Sequence, residues 1–344
     1  MGRKNIKGKG VLKQKKECES SLANFITNLE KGTAVINDQS NVKDFLDYWL
    51  EVYPKKQCQP TTYKRYKEFS KHIIEYLGKY KLTKLNVLIV QKFYNDLSEK
   101  EGLSNNTIIK VHRMLHLALR HAQKWQMVAV NVCDIVDPPK STPIKIKYWN
   151  ADEVPFYLQK LKSTELYPLI FVAVSTGLRE GELLALQWDD IDMINGTVKI
   201  NKTLSRLNGK LVLKEPKTEN SKREVVLLDS TIIFLKTLKK KAMEQKLEHG
   251  IDLNYVFRKK DGSIYRPEFI SKRFRQLCSE NNIPSIRFHD LRHTHATMML
   301  KLGVNEKVIS ERLGHSRVSF TLDTYTHVDT TMQRDEIQKL NRIL

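Results

Sequence analysis

The sequence predicts a mainly α protein with a small antiparallel β-sheet, an α+β chain in two domains. Three observations carry this. Apolar residues recur at intervals of three and four through most of the 344 residues, the period of an amphipathic helix. Three short β-branched runs bounded by turn residues occur in the second half, where they read as strands. Between the halves lies Asp137-Pro138-Pro139-Lys140-Ser141-Thr142-Pro143, a polar, proline-rich stretch that reads as an extended linker and stays basic through Lys145 and Lys147.

Composition bounds what such a chain does. Lys and Arg number 59 against 39 Asp and Glu, a net charge of +20, with 40% hydrophobic and 8% aromatic residues. That is apolar enough for two cores and excludes disorder of the whole chain, while the positive excess selects a polyanionic partner. No stretch approaches the roughly 18 apolar residues of a membrane span. Met1-Gly2-Arg3-Lys4 leads into further charge, not an apolar signal core. The expectation is a cytoplasmic protein without a membrane partner. Cys18, Cys58, Cys133 and Cys278 lie far apart with no C-x-x-C pair, so they read as reduced thiols outside any disulfide framework or zinc site.

The elements follow in order. Residues 1 to 16 carry Arg3, Lys4, Lys7, Lys9, Lys13, Lys15 and Lys16 with no acid, a basic arm. Leu22, Phe25, Ile26 and Leu29 have helical spacing and Gly32 supplies a stop. From Asn41 to Asp137 four helices fit. The first holds Phe45, Trp49 and Leu50. The second, after Pro60-Thr61, places Tyr63, Tyr66, Phe69, Ile73 and Leu77 on one side, with Lys64, Arg65, Lys67 and Lys71 on the other, and ends at Gly78. The third contains Val90, Phe93 and Leu97 and stops near Gly102. The fourth starts after Ser104 and stripes Ile108, Val111, Leu115, Ala118 and Ala122 beneath Lys110, Arg113, Arg120 and Lys124. A polar helix face is ordinarily just solvated, but two faces this basic are candidates for phosphate contact, together with Lys145 and Lys147.

In the second domain, Asn150 followed by Glu153 resembles a capping box, although Pro155 sits deep for it. Helices are expected over 151–163 and 165–176. Three antiparallel strands follow at Gly196 to Thr203, Lys210 to Leu213 and Arg223 to Leu228. Helices return at 230–247, 267–281, 289–301, 305–313 and 333–343.

Chemistry concentrates in four segments of this domain, which supply cations, hydrogen-bond donors and one phenol. They are Thr176-Gly177-Leu178-Arg179-Glu180-Gly181-Glu182-Leu183, Pro216-Lys217-Thr218, His289-Asp290-Leu291-Arg292-His293-Thr294-His295, and Leu313-Gly314-His315 with Tyr325 beyond it. Singly they are weak signals: an Arg at a helix head is usually structural, and a Lys beside a hairpin turn is usually solvated. His289 and Arg292, three apart, share a helix face and can point at one anion. His289 and His293, with His295 and His315, also form a metal-ligand pattern, but a zinc protease would place Glu after the first His and this chain has Asp290.

The ordered set as a whole resembles the tyrosine recombinase family, the phage-type integrases, over nearly all of residues 41 to 330. The family's signature is an Arg after Thr-Gly with an acid three residues on, a Lys in a β-hairpin, His-x-x-Arg, Leu-Gly-His and a nucleophilic Tyr. Here these are Arg179 with Glu182, Lys217, His289 with Arg292, His315 and Tyr325. Lys214 and Lys222 flank the same hairpin as Lys217.

The resemblance implies a helical core-binding domain at 41–137, a linker at 138–149 and a catalytic domain at 150–344; the basic arm and short helix within residues 1–40 resemble the terminal helix of an arm-binding domain without the strands before it, either a reduced arm domain or one whose start lies upstream. The resemblance implies that the two domains close on duplex DNA as a C-shaped clamp. It further implies a homo-tetramer on DNA attachment sites, a Holliday-junction intermediate, a host DNA-bending factor and an excisionase as partners, and a tail from Thr330 that docks on a neighbouring subunit. The reaction implied is integration and excision of a phage or other mobile element through a 3′-phosphotyrosine at Tyr325.

The residue types suit that chemistry. Attack of a phenolate on a phosphodiester anion needs positive donors around the nonbridging oxygens, and an Arg presents a planar fork where a Lys cannot. Arg179 and Arg292 are expected to supply the forks, Glu182 to hold a cation in place, His289 to take a proton or bind the phosphate, His315 to donate to a nonbridging oxygen, and Lys217 to protonate the leaving 5′ oxygen. With so many fixed cations, neither metal nor cofactor is expected. The rivals are a noncatalytic regulator using a helix-turn-helix at 291–313, a type IB topoisomerase, and a metal hydrolase.

Overall fold

A computed structural model describes residues 40–143, 146–207, 209–215, 222–250, 254–259 and 261–314. These fall into two compact units divided between residues 144 and 145. The basic arm and the helix expected at 17–30 lie outside the described residues, as do Lys145, Lys217, His315, Tyr325 and the tail helix.

The first unit is helical. Its elements are α1 (Val42–Val52), the single turn α2 (Pro54–Gln57), α3 (Pro60–Leu77), α4 (Val87–Glu99) and α5 (Asn105–Lys124). Three starts are set by side-chain caps. Asn41 accepts from the Asp44 N–H at 2.8 Å, Asn86 from Ile89 at 3.0 Å and Ser104 from Thr107 at 3.3 Å, each worth about 1 kcal/mol. Phe45, Leu46 and Trp49 of α1, Ile73 and Leu77 of α3, Val90, Phe93 and Leu97 of α4, and Ile108, Val111 and Leu115 of α5 form one buried core. Tyr63, Tyr66 and Phe69 pack at its edge, so the apolar side of α3 read from the sequence faces inward throughout. Lys64, Arg65, Lys67 and Lys71 on α3, and Lys110, Arg113, Arg120 and Lys124 on α5, are exposed.

Near the start of the second unit stands Trp149, whose backbone N–H donates to Thr294 Oγ1 at 3.1 Å and whose indole donates to the Pro284 carbonyl at 3.0 Å. α6 runs from Val154 to Leu161 and α7 from Tyr167 to Thr176. The capping box expected at Asn150 is not formed. Glu153 is the N-cap residue and Pro155 falls within the first two helical positions, where its missing N–H costs nothing.

α7 is apolar on nearly all sides and buried from Leu169 through Thr176 apart from Phe171, the signature of a core helix. It packs against α11 (Asp290–Lys301). Between them in sequence come α8 (Glu180–Ala185), five strands, α9 (Asp229–His249) and α10 (Pro267–Glu280), and α12 (Glu306–Leu313) follows α11.

The strands correct the sequence reading of three. Among the described residues there are five, β1 (Ile191–Asp192), β2 (Thr197–Ile200), β3 (Thr203–Leu207), β4 (Lys210–Lys214) and β5 (Arg223–Val226). They form two antiparallel sheets, one ordered β1-β2-β5 and one a β3-β4 hairpin. Val198 lies opposite Val225 in the first, and Leu204 opposite Leu213 in the second.

The run read as one strand from Gly196 to Thr203 is broken at Asn201-Lys202. There Lys202 Nζ donates to Gln187 Oε1 at 2.6 Å and pairs with Asp190 at 3.4 Å, and these side-chain bonds turn the chain out of the first sheet. The hairpin stands beside a cleft of about 420 Å³ lined by Asn201, Lys202, Leu213, Lys214, Glu215 and Lys222.

Candidate active site

α7 ends where the site begins. Gly177 takes φ 69°, and a Cβ there would lie 2.6 Å from both His295 Cδ2 and Leu313 Cδ2, so the Thr-Gly turn requires glycine for conformation and for space. The turn delivers Arg179 to the N-cap of α8. Glu182, one turn on, accepts from the Arg179 backbone N–H at 2.9 Å and from its Nη1 at 2.7 Å. Arg179 Nη2 donates to the Gly314 carbonyl at 2.8 Å.

Glu182 is buried, 4% exposed, and faces a second guanidinium. Arg223, at the first position of β5, donates from Nη1 to Oε1 at 3.1 Å and from Nη2 to Oε2 at 2.9 Å. Burial works against the carboxylate charge. The hydrogen bonds and charge of Arg223, then the charge of Arg179, overcome it and hold the pKa at about 2.

α11 contributes from the other side. Its N-cap residue is His289, and Asp290 at its first position, 2% exposed, accepts from Arg287 Nη2 at 2.8 Å and from the Arg287 backbone N–H at 2.8 Å. Arg292 is 3% exposed and fixed in orientation, with Nη1 donating to the Gly177 carbonyl at 2.9 Å and Nη2 to the Leu313 carbonyl at 2.6 Å. His289 is exposed as a residue, while the protein around its ring still desolvates it. Desolvation by the surrounding protein, then the charges of Arg292, Arg179 and Arg287, pull its pKa below the ordinary histidine value against the opposing Asp290. It is therefore neutral at physiological pH.

His293 and His295 are neutral for different reasons. Burial, then the neighbouring His289, lowers His293 to about 4. His295 Nδ1 lies 2.8 Å from the Val174 carbonyl, which only accepts, and its Nε2 receives the Arg312 Nε–H at 3.1 Å. The ring is thus the Nδ1–H tautomer, and burial and Arg312 place its pKa at about 4. Its two nitrogens are committed to structure, which removes it from the metal-ligand pattern read in the sequence. Among the described residues no group of three His, Cys, Asp or Glu side chains is placed to hold a metal ion.

These contributions meet at the end of α12. Its last carbonyls accept in turn from three guanidiniums: Arg312 O from Arg223 Nε at 2.7 Å, Leu313 O from Arg292 Nη2 at 2.6 Å, and Gly314 O from Arg179 Nη2 at 2.8 Å. Cations are favoured at a helix C-terminus, where orphan carbonyls concentrate negative charge. The structure therefore brings Arg179, Glu182, His289 and Arg292 into one cluster. The two candidate phosphate-binding arginines end on adjacent carbonyls, directly before His315 in the chain.

The Phage integrase family matches residues 148–332, and the N-terminal SAM-like domain of phage integrases matches residues 41–98. The chain belongs to the phage integrase family. The integrase is 32% identical over 280 residues to the ICEBs1 integrase of Bacillus subtilis, covering 80% of this chain and 76% of that one. It is 28% identical over 352 residues to a XerC-like tyrosine recombinase of Caldanaerobacter subterraneus subsp. tengcongensis, covering 96% and 90%.

Among solved structures, the Tn1549 transposon integrase in complex with transposon right end DNA superposes with a TM-score of 0.75 at 22% identity, over 88% of this chain and 99% of that one. The integrase is a site-specific tyrosine recombinase of the mobile-element type, an enzyme that cuts and rejoins DNA.

Sequence reasoning missed Arg223 and Arg312. The signal for Arg223 is present in the alternation of β5, where residue 223 shares a face with the buried Val225. An inward cation at the head of a strand demands a buried acid, and Glu182 is that acid. Nothing in the sequence marks Arg312. In the helix-turn-helix reading of 291–313, the first helix is a core helix, buried from Asp290 through Ala296, and Ile309, Ser310 and Leu313 bury the second. The integrase has no helix among its described residues long and apolar enough to cross a membrane.

Proposed function

We propose that this integrase cleaves one strand at each attachment site by attack of the Tyr325 phenolate oxygen on phosphorus. An O–P bond forms to Tyr325 and the P–O5′ bond breaks, leaving a 3′-phosphotyrosine and a 5′ hydroxyl whose proton comes from Lys217. Attack by the 5′ hydroxyl of a partner strand reverses the step, so bond energy is kept and no nucleotide cofactor is consumed. Arg179 and Arg292 carry the developing charge on the nonbridging oxygens, with His315 donating beside them. His289, neutral at physiological pH, has a lone pair to take the tyrosine proton. Glu182 holds Arg179 and does not touch DNA.

The observation that carries this reading is the convergence of Arg179 and Arg292 on the adjacent carbonyls of Gly314 and Leu313. Two fixed guanidiniums at one point form a receptor for a phosphate. Residues 41–137 are the core DNA-binding domain, with the exposed Lys64, Arg65, Lys67, Lys71, Lys110 and Arg113 on its phosphate-contacting faces. Residues 138–149 are the linker, with Lys145 and Lys147, its last residue Trp149 already seated in the core of the catalytic domain that continues to 344. The working assembly is a homo-tetramer on attachment DNA in the cytoplasm, assisted by a host DNA-bending factor and an excisionase. The family resemblance supports the tetramer and its accessory partners; the solved lambda integrase, a dimer bound to a COC′ core site, supports only assembly of more than one subunit on DNA.

The test uses supercoiled plasmid carrying the DNA that flanks the gene. Wild type and Tyr325→Phe are incubated with it in EDTA and quenched with SDS. The expected result is a protein–DNA adduct from the wild type alone. An equal adduct from the variant overturns Tyr325 as nucleophile.

A further inference from the structure

Arg223 lies outside the set assigned above to the phosphate, yet it touches Glu182, which holds Arg179, and the end of α12. It forks onto both oxygens of Glu182, the residue that grips Arg179 by side chain and backbone. Through Nε it also donates to the Arg312 carbonyl at 2.7 Å, next in line to the carbonyls held by Arg292 and Arg179. Gly314, at φ 65°, is packed on it, since a Cβ there would lie 3.1 Å from Arg223 Nη1. Along the chain, Arg223 opens β5 directly after the segment that carries Lys217. One side chain, 7% exposed, thereby joins α8, β5 and the end of α12.

We infer that Arg223 is a positioning residue for the cleavage step, one that sets Arg179 through Glu182 and sets the turn leading to His315 through the Arg312 carbonyl. This rests on the phosphate-binding roles given above to Arg179 and His315. The fork geometry makes a specific demand. Three donors on one rigid plane serve two oxygens of Glu182 and a backbone carbonyl, and the single ammonium of a lysine cannot hold that arrangement. Arg223→Lys preserves the charge, which spares the buried Glu182 an unpaired state, and loses only the geometry.

The experiment measures covalent adduct formation at saturating DNA for wild type, Arg223→Lys and Arg223→Ala, on a synthetic duplex spanning the mapped cut. Each is run with a normal scissile phosphodiester and with a methylphosphonate, in which a methyl group replaces one nonbridging oxygen and removes the charge. Displacements of about 1 Å in a catalytic group cost up to about a hundredfold in rate. The expected result is a loss of at least tenfold for Arg223→Lys on the phosphodiester with unchanged DNA affinity, and a clearly smaller loss on the methylphosphonate, which depends less on the cations. The ratio of the two losses is independent of the folded fraction. Equal losses on both substrates, or no loss at all, overturn the inference and leave the nucleophile assignment standing. No adduct from the wild type on either substrate overturns both.

Discussion

Trp49 donates its indole N–H to Nδ1 of His121 across 2.8 Å, joining α1 to the last turn of α5. An indole can only donate, so this nitrogen must hold a lone pair and the native ring is neutral. Burial, then the charges of Lys124 and Arg120, lower the His121 pKa. His112, 2.7 Å from the Tyr94 hydroxyl, is lowered by burial, then by His116 and Arg113.

Acid should therefore weaken the first unit. The unfolded chain takes up these protons near pH 6.5 and the folded chain resists them, so stability is full above about pH 6.5 and falls as pH drops toward the lower folded pKa values. Urea midpoints at pH 7.5 and pH 5 check this. His121→Ala leaves a buried indole N–H unpaired, lowers stability by about 1–3 kcal/mol at pH 7.5 and flattens the acid slope. An unchanged slope in the variant would place the titration elsewhere.

Arg179→Ala and Arg292→Ala should each slow adduct formation at saturating DNA by about a hundred- to a thousandfold, the loss typical of one preorganised donor. Single-turnover kinetics read this directly. An effect seen only in DNA affinity would contradict transition-state stabilisation.

Gly177→Ala is expected to fail for two reasons at one position. A left-handed conformation costs a non-glycine residue about 1–2 kcal/mol. The added methyl would also drive His295 and Leu313 apart from 2.6 Å contacts, and such overpacking costs about 1–3 kcal/mol more. Chemical denaturation should show a loss of at least 2 kcal/mol, and a neutral result would mean that α7 and α12 separate without penalty.

Glu180 titrates in the opposite sense to the histidines. Burial, then the neighbouring charge of Glu268, raises its pKa to about 7, and its Oε1 has no hydrogen-bond partner among the described residues. The folded state keeps the proton from about pH 4.5 to 7 while the unfolded state has lost it, so this group favours folding at the acid end and the advantage is lost as pH rises through 7. Glu180→Gln should raise stability at pH 8 by about 1–2 kcal/mol, allowing for solvent screening, and leave it nearly unchanged at pH 5. Equal effects at both pH values would refute the titration.

For the first unit, Lys64→Ala and Lys71→Ala should weaken binding to specific and unrelated DNA alike, and each should reduce the slope of log affinity against log salt by about 1. Fluorescence anisotropy across a salt series measures it. A slope identical to wild type would take α3 off the phosphates.

Much of this molecule was legible in its sequence because the information there is local. The helical stripe of α3, the Ser104 cap and the glycine after Thr176 each depend on neighbours a few residues away. The break at Asn201-Lys202 depends on Gln187 and Asp190, which no local period reveals, and the run was read as one strand for that reason. Two of the motifs named residues that meet in space, Arg179 and Glu182 with His289 and Arg292, but not what holds them. Glu182 was expected to steady one cation and steadies two; the second, Arg223, shares a face of β5 with the buried Val225, but that signal gains meaning only once its acid partner is known.

The last turn of α12 cannot be built from its own stretch of chain. Its carbonyls wait for guanidiniums delivered by α8, by β5 and by α11, and contacts between segments so distant in sequence demand that most of the unit be ordered first. A chain still emerging from the ribosome, or one partly unfolded by heat, keeps Arg179, Arg223 and Arg292 scattered. For an enzyme that cuts DNA, this amounts to a safety catch: the arginine cluster assembles only with the completed fold and is lost as the fold loosens.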